Sequence, residues 1–339
     1  MTSVDGPAVG PEKAFILREL THKQPLIACR FAPAHPFVFA TSEDRNVLRW
    51  DLNSASADPV AFSGHDGWVF ALNFTDGGQS LLTGGADGVL TWWPLAADGP
   101  MPSRSIQAHG GWLRSIAVAA DGHAIATAGN DRIVRLWSPS GEKLMELPGH
   151  ERPIYSLAWG PDGTLVSGDL KGVVIEWDHR AGKEARRFDA AKLYKYEGGQ
   201  GVDYGGVREM AFSADGKYLA CAGLIEASNP LGAVSNPAVL LFDRAEGKEN
   251  GPLLQRSKED VKGVGWGLRF HPGGFIVLVA GGTGGGNLWF FKPGETNEFA
   301  RFKLPNTARG LDLHADGLRV ATTHHDGKLR ITALHAKPA

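Results

Sequence analysis

Apolar and polar residues alternate in seven short stretches of the chain, beginning at Leu26, Val69, Leu113, Ile154, Val207, Gly265 and Ala308. Three residues into each stretch lies an apolar side chain: Cys29, Leu72, Ile116, Leu157, Met210, Leu268 and Leu311. Two residues later comes another: Phe31, Phe74, Val118, Trp159, Phe212, Phe270 and Leu313. A period of two belongs to a strand with one buried face, not to a helix. Most of the stretches are followed by a turn pair, as at Asp76-Gly77, Asp121-Gly122, Asp162-Gly163, Asp215-Gly216, Pro272-Gly273 and Asp316-Gly317. These are hairpin signals, so an all-β chain of antiparallel strands is expected.

A second pattern is laid over the first. His65, Thr83, Asp87 and Trp93 are spaced by 18, 4 and 6 residues, and His109, Thr127, Asp131 and Trp137 repeat the same intervals. His22, Asp44 and Trp50 keep the spacing with Ala40 in the threonine position. His150, Ser167 and Trp177 follow with one residue fewer, and Lys171 occupies the aspartate position. A catalytic group is needed once, whereas this set recurs. Self-similarity at about 40 to 45 residues, marked by Gly-His and by Trp at the far end, is the signature of a repeat architecture.

Composition fits that reading. Ten tryptophans and 45 glycines among 339 residues suit repeats that need bulky filler and tight turns. The net charge of −2 offers no basic field for nucleic acid or an anionic membrane. No apolar run approaches the roughly 18 residues of a spanning helix. The opening MTSVDGPAVGPEK has no signal-peptide pattern, so a cytoplasmic protein is expected. Cys29 and Cys221 fall in different repeats, and a disulfide needs Cα atoms within about 7 Å, so two free buried thiols are expected.

The complete sets His65/Thr83/Asp87/Trp93 and His109/Thr127/Asp131/Trp137 resemble the WD-repeat β-propeller family, over about residues 14–334. Phe242-Asp243 and Phe291-Lys292 replace Trp-Asp in repeats five and six, and the seventh keeps Thr322, Asp326 and Gly327 but ends Thr332-Ala333. The resemblance implies seven four-stranded antiparallel blades. It also implies that each complete set forms a hydrogen-bonded chain inside its blade, a structural role. The repeats fall at about 14–52, 53–95, 96–138, 139–179, 180–244, 245–292 and 293–334, with tails at 1–13 and 335–339. After Asp326-Gly327 only KLRITAL remains for the last blade. The strand-like Ala14–Leu20 should therefore supply its fourth strand and close the ring.

Strand order puts the second-to-third and fourth-to-next-inner turns on one face, called the top. Two long inserts of the fifth repeat fall there: residues 193–206, carrying Tyr194, Tyr196 and Tyr204, and residues 224–237. Long loops rich in aromatics favour a partner contact. One residue after each stretch begins, at the top entrance of the channel, stand Ile27, Phe70, Arg114, Tyr155, Arg208, Trp266 and Arg309. Two residues before them come Pro25, Trp68, Trp112, Pro153, Gly206, Val264 and Thr307. By resemblance these are partner-contact positions in the family. Trp68, Phe70, Trp112, Arg114, Tyr155, Arg208, Trp266 and Arg309 become the candidates, a mixture that interface hot spots favour. Trp68 and Trp112 have the alternative of merely closing their blade tops. The three arginines also admit an anionic ligand, such as a phosphopeptide, an acidic tail or a carboxylate metabolite, unless they pair with Glu43 or Glu209.

The expected function is thus a non-catalytic, monomeric scaffold for a protein or peptide, without cofactor, nucleic acid or membrane. The alternative is a lactonase-like propeller enzyme or small-anion binder using the channel, where Glu209, Asp312, Arg30 and Arg269 are the ionisable groups on offer. No nucleophile and base can be drawn from the recurring sets without giving several blades the same role. His324, His325 and Asp326 are neighbours on a strand and alternate in direction, against a metal site. The glycine-rich residues 281–287 run into LWFF rather than a helix, which fits a hairpin turn better than a phosphate cradle.

Overall fold

The computed structural model describes residues 8–338 except 97–98, 200, 230–233, 246–251, 260 and 283–284. It contains seven four-stranded antiparallel sheets and one separate two-stranded hairpin. Six blades each follow the chain from an inner to an outer strand, beginning with Leu26–Phe31, Val69–Thr75, Leu113–Val118, Ile154–Trp159, Glu209–Phe212 and Val264–Phe270. The seventh holds Ala308–Leu313, Arg319–His324, Lys328–Ala333 and, as its outer strand, Phe15–Thr21. Apolar clusters lie between neighbouring blades. One joins Trp50 and Val38 of blade 1 to Leu20, Ala321 and Leu329 of blade 7.

The ring is closed as the strand count requires. Phe15 pairs with Ala333 and Thr21 with Lys328, and the His22 N–H donates to Gly327 O at 2.8 Å. Arg330, almost fully buried, adds a side-chain tie by donating to Glu19 Oε1 at 2.7 Å and Asp326 Oδ2 at 2.7 Å. Upstream, Pro11–Lys13 form a single 3-10 turn, Pro11 is buried, and Gly10 N–H donates to Leu334 O at 2.8 Å.

Inside blades 2 and 3 the recurring set is a chain of hydrogen bonds. Trp93 Nε1–H donates to Thr83 Oγ1 at 2.8 Å, Thr83 lies 2.8 Å from His65 Nε2, and His65 Nδ1 lies 2.8 Å from Asp87. Trp137, Thr127, His109 and Asp131 repeat these links at 2.8, 2.8 and 2.9 Å. In blade 2 the ionised carboxylate only accepts, so the imidazole proton sits on Nδ1 and the hydroxyl proton points to Nε2, whereas in blade 3 Arg135 Nη1 also lies 2.8 Å from His109 Nδ1 as it donates to Asp131 at 2.5 Å. Each polar atom of the two sets that lies between indole and carboxylate is thereby paired.

Blade 4 corrects one expectation. Its aspartate role falls not to Lys171 but to Asp169, the last residue of the second strand, which lies 2.9 Å from His150 Nδ1. The residue missing between His150 and Ser167 falls in the turn after the inner strand, since Leu157 pairs with Ser167 as Leu72 does with Thr83. The other carboxylate oxygen of Asp169 accepts the N–H groups of Lys171 and Val173 at 2.9 Å each.

The remaining blades alter the chain in different ways, and in blade 7 the indole position passes to Thr332, whose buried hydroxyl has no partner among the described residues. In blade 1, Ala40 removes the acceptor and Trp50 Nε1 donates instead to Ala57 O at 2.9 Å. Blades 5 and 6 remove donor and acceptor together, with Phe242 and Cys221 in the indole and hydroxyl registers of one and Phe291 and Leu278 in those of the other. Deleting both partners avoids the cost of an unmet one. In blade 7, His324 reaches Thr322 from the same strand at 2.8 Å and Asn306 O at 3.0 Å, and burial pushes its imidazole down to about 4. Cys29 and Cys221 are free and buried, as expected.

Three outcomes follow from these contacts. Deleting residues 1–20 should expose strand edges on both sides of the ring, giving aggregation and a lower melting temperature by light scattering and calorimetry. Deleting residues 1–9 should change neither. Trp93→Ala or Trp137→Ala should each cost about 3 to 5 kcal/mol in chemical denaturation, through the cavity and the orphaned hydroxyl, whereas His65→Ala should destabilise without removing any binding activity. The third concerns acid. Burial opposes ionisation of Asp87 and Asp131, but the histidine bonds, joined by backbone N–H groups at Asp87 and by Arg135 at Asp131, outweigh it and hold both below the ordinary carboxyl value. A depressed carboxyl stabilises the fold above its unfolded pKa and loses that contribution as pH falls through the folded value. The melting temperature should therefore drop as pH falls below about 4, more gently in Asp87→Asn and Asp131→Asn.

Candidate functional site

The geometry of the top entrance starts in the backbone. On the inner strands of blades 2, 3, 4, 6 and 7 the register with the second strand shifts at one residue, and those residues are Phe70, Arg114, Tyr155, Trp266 and Arg309. Blade 1 has the same irregularity at Ile27 and Ala28. Arg208 stands just before its ladder, its N–H donating to Ala222 O at 2.8 Å. A bulge inserts an unpaired residue and re-aims its side chain. All seven entrance positions read from the sequence thus coincide with the start of an inner strand. Just ahead of the bulges in blades 2 and 3, the Trp68 and Trp112 carbonyls accept from Ala86 and Asn130 at 2.8 and 2.9 Å. Glycine is required opposite them: a Cβ on Gly129 would lie 1.8 Å from Trp112 O, and one on Gly85 2.5 Å from Trp68 O.

The bulged side chains form a continuous ribbon across blades 2 to 6. Trp68 meets Phe70 edge to face at 6.4 Å, and Phe70 stacks on Trp112 at 5.1 Å. The Arg114 guanidinium lies over Trp112 at 4.8 Å and over Tyr155 at 4.5 Å. Arg208 lies over the same Tyr155 at 4.5 Å and over Trp266 at 5.3 Å. Trp68 and Trp112 remain 46% and 40% exposed. Arg309 is set apart, its guanidinium bound to Glu43. Arg114 Nε donates to Asn130 Oδ1 at 2.6 Å, a partner the sequence reading missed although Asn130 aligns with Glu43 in the same turn.

Below the entrance lies a cavity of about 140 Å³ lined by Arg114, Tyr155, Arg208, Trp266 and Arg309, with Arg30 and Glu209 deeper. A charged quartet then crosses the channel. Arg269 donates to Glu209 at 2.6 Å and Asp312 at 3.2 Å, and Arg30 lies 3.7 Å from Asp312 and 4.0 Å from Glu209. Burial lowers Arg269, but the two carboxylates more than reverse this, while burial and the charge of Arg269 leave Arg30 below its ordinary value. On the bottom face a wider opening of about 1030 Å³ is framed by turn residues such as Pro33, Gly77, Gly122 and His314. Arg30 lines both openings.

The two inserts of blade 5 are hairpins rather than irregular loops. Tyr194–Glu197 pairs with Val202–Gly205, and the second and third strands of the blade run on as Tyr218–Asn229 and Val234–Asp243. Gln200 and residues 230–233 of these inserts lie outside the described residues. Lys195 Nζ ties the first hairpin to Ala227 O of the second at 2.6 Å. The three tyrosines differ: Tyr194 donates to Asp203 at 2.6 Å, which pushes its phenol up to about 12, the Tyr204 hydroxyl is buried, and Tyr196 is 56% exposed.

His324 and Asp326 are engaged with Thr322, Asn306 and Arg330, and among the described residues no three His, Cys, Asp or Glu side chains gather as a metal site. In the glycine-rich segment, Gly282 pairs with Gly285 across a hairpin whose tip, residues 283–284, lies outside the described residues. Among the described residues no helix is long and apolar enough to cross a membrane.

The family model described as WD domain, G-beta repeat matches residues 15–51, 59–93, 101–138 and 141–178. These matches end on or just past Trp50, Trp93, Trp137 and Trp177, while the three further blades repeat the same strand order with Phe242, Phe291 and Thr332 in the indole position. With four repeats that match the WD-repeat model in a closed ring of seven four-stranded blades, the chain is a seven-bladed β-propeller that carries WD repeats.

Proposed function

We propose that this chain is a non-catalytic scaffold that docks a protein or peptide on its top face, at the channel entrance and beside the hairpins of blade 5. Propellers of this repeat family generally mediate protein interactions. The observation that carries the reading is the pair of exposed indoles, Trp68 and Trp112, set in an unbroken ribbon with Phe70, Arg114, Tyr155, Arg208 and Trp266. Large rigid aromatics and arginines are what interfaces use as anchors. Tyr196 supplies a further exposed aromatic on the insert side, which makes the docking surface lopsided toward blade 5.

Against a channel enzyme stands the pairing of Glu209 and Asp312 with Arg269 and Arg30, which leaves neither carboxylate free for acid or base work. A monomer in the cytoplasm fits two buried free thiols. Neither a nucleic acid nor a membrane is part of the reading.

Trp68→Ala and Trp112→Ala should each weaken the captured partner by over about 2 kcal/mol, with the melting temperature nearly unchanged. Tyr196→Ala should weaken it less, and Tyr204→Ala should act mainly through stability. Titration calorimetry and cross-linking with the captured partner check this. Cross-links confined to bottom turns such as Asp121-Gly122 would overturn the assignment.

A further inference from the structure

The charges around the channel are paired with two exceptions. Arg269 and Arg30 share Glu209 and Asp312, and Arg309 is held by Glu43. Arg114 and Arg208 have no carboxylate within salt-bridge distance among the described residues. Arg114 spends Nε on Asn130, and Arg208 Nε is buried with no hydrogen-bond partner among the described residues. Both guanidiniums lie over the one Tyr155 ring, at 4.5 Å each, and both line the cavity of about 140 Å³. Burial holds both below the ordinary arginine value, and the charge of Arg208 adds to the effect at Arg114. Two cations that line one small cavity, with no carboxylate partner among the described residues, make a site that an acceptor from outside would complete.

We infer that the entrance recognises an acidic peptide, one of whose carboxylate side chains enters the cavity between Arg114 and Arg208 while a neighbouring apolar side chain lies on Trp68 and Trp112. The inference rests on the top-face reading and adds the chemistry of the partner. A carboxylate fits because each of its oxygens can accept from one guanidinium, and an arginine held over an aromatic ring keeps N–H groups available at its edge. A peptide fits better than a lone metabolite because the exposed indoles continue the site outward from the cavity. A nucleic-acid backbone is disfavoured, since two uncompensated cations on a chain of net charge −2 do not form a phosphate track.

The test uses the full chain and a short fluorescent peptide of alternating glutamate and phenylalanine, its glutamine counterpart, a phosphoserine counterpart and inorganic phosphate, read by anisotropy and competition. The glutamate peptide should bind at least about tenfold more tightly than the glutamine peptide, and added salt should weaken it. Arg208→Gln and the more accessible Arg114→Gln should each reduce that preference about tenfold, with lysine at either position restoring part of it. Equal binding of the glutamate and glutamine peptides, or an unchanged preference in both arginine variants, overturns the inference. So does binding of phosphate or the phosphoserine peptide in place of the glutamate peptide. Capture of the cellular partner separates the two readings: if it needs Trp68 but neither arginine, top-face docking stands and the acidic specificity falls.

Discussion

Four buried indoles, Trp50, Trp93, Trp137 and Trp177, each place their N–H on an acceptor of their own blade, and blades 1 to 4 are organised around that pairing. In blades 2, 3 and 4 the tryptophan on the third strand gives its proton to a hydroxyl on the second, which in turn holds a histidine from the loop ahead of the inner strand. The histidine fixes that loop over the blade. The loop fixes where the inner strand starts, and the start carries the bulge that aims a side chain over the channel. The aim of the entrance side chain belongs to the bulge itself, which blade 6 keeps at Trp266 without any such chain among the described residues.

Blades 5 and 6 fit the same pairing from the opposite direction. Phe242 and Phe291 bring no N–H, and Cys221 and Leu278 opposite them offer no hydroxyl. These two blades have no loop histidine in such a chain, and the second and third strands of blade 5 run far past the usual blade length, through Asn229 and from Val234. The hairpins that distinguish this propeller therefore sit on a blade held by apolar packing. The entrance ribbon nevertheless crosses from blade 4 to blade 6 through Arg208, whose position is set by its own backbone bond to Ala222.

Much of this was legible in the sequence because it is local. The period-two alternation, the Asp-Gly turns, the 18-4-6 spacing and the spare strand at Phe15–Thr21 each involve neighbours along one or two strands. What escaped depends on residues brought together by closure. Arg309 and Glu43 are 266 positions apart, so the choice between a free and a neutralised arginine could be named but not decided. The use of Asp169 with Lys171 in the aspartate position escaped because the carboxylate comes from the second strand itself, two residues after Ser167, where blades 2 and 3 have Gly85 and Gly129. The insert at 193–206 could have been read as a hairpin, since Tyr194 and Tyr196 alternate as Val202 and Tyr204 do on the far side of a glycine-rich turn.

The pairing of Phe15–Thr21 with Lys328–Ala333 also sets an order of events in time. The outer strand of blade 7 is made before every other strand of the propeller, and its partner after all of them. At about 5 to 20 residues per second, a ribosome separates the two by tens of seconds. Through that interval the early strand has an unpaired edge and an amphipathic face with no blade to cover it, while blades 1 to 6 can already stack on one another. The last loop to close spans the other six blades, so the ring seals late, and a nascent chain carries an open edge until the strands of blade 7 emerge.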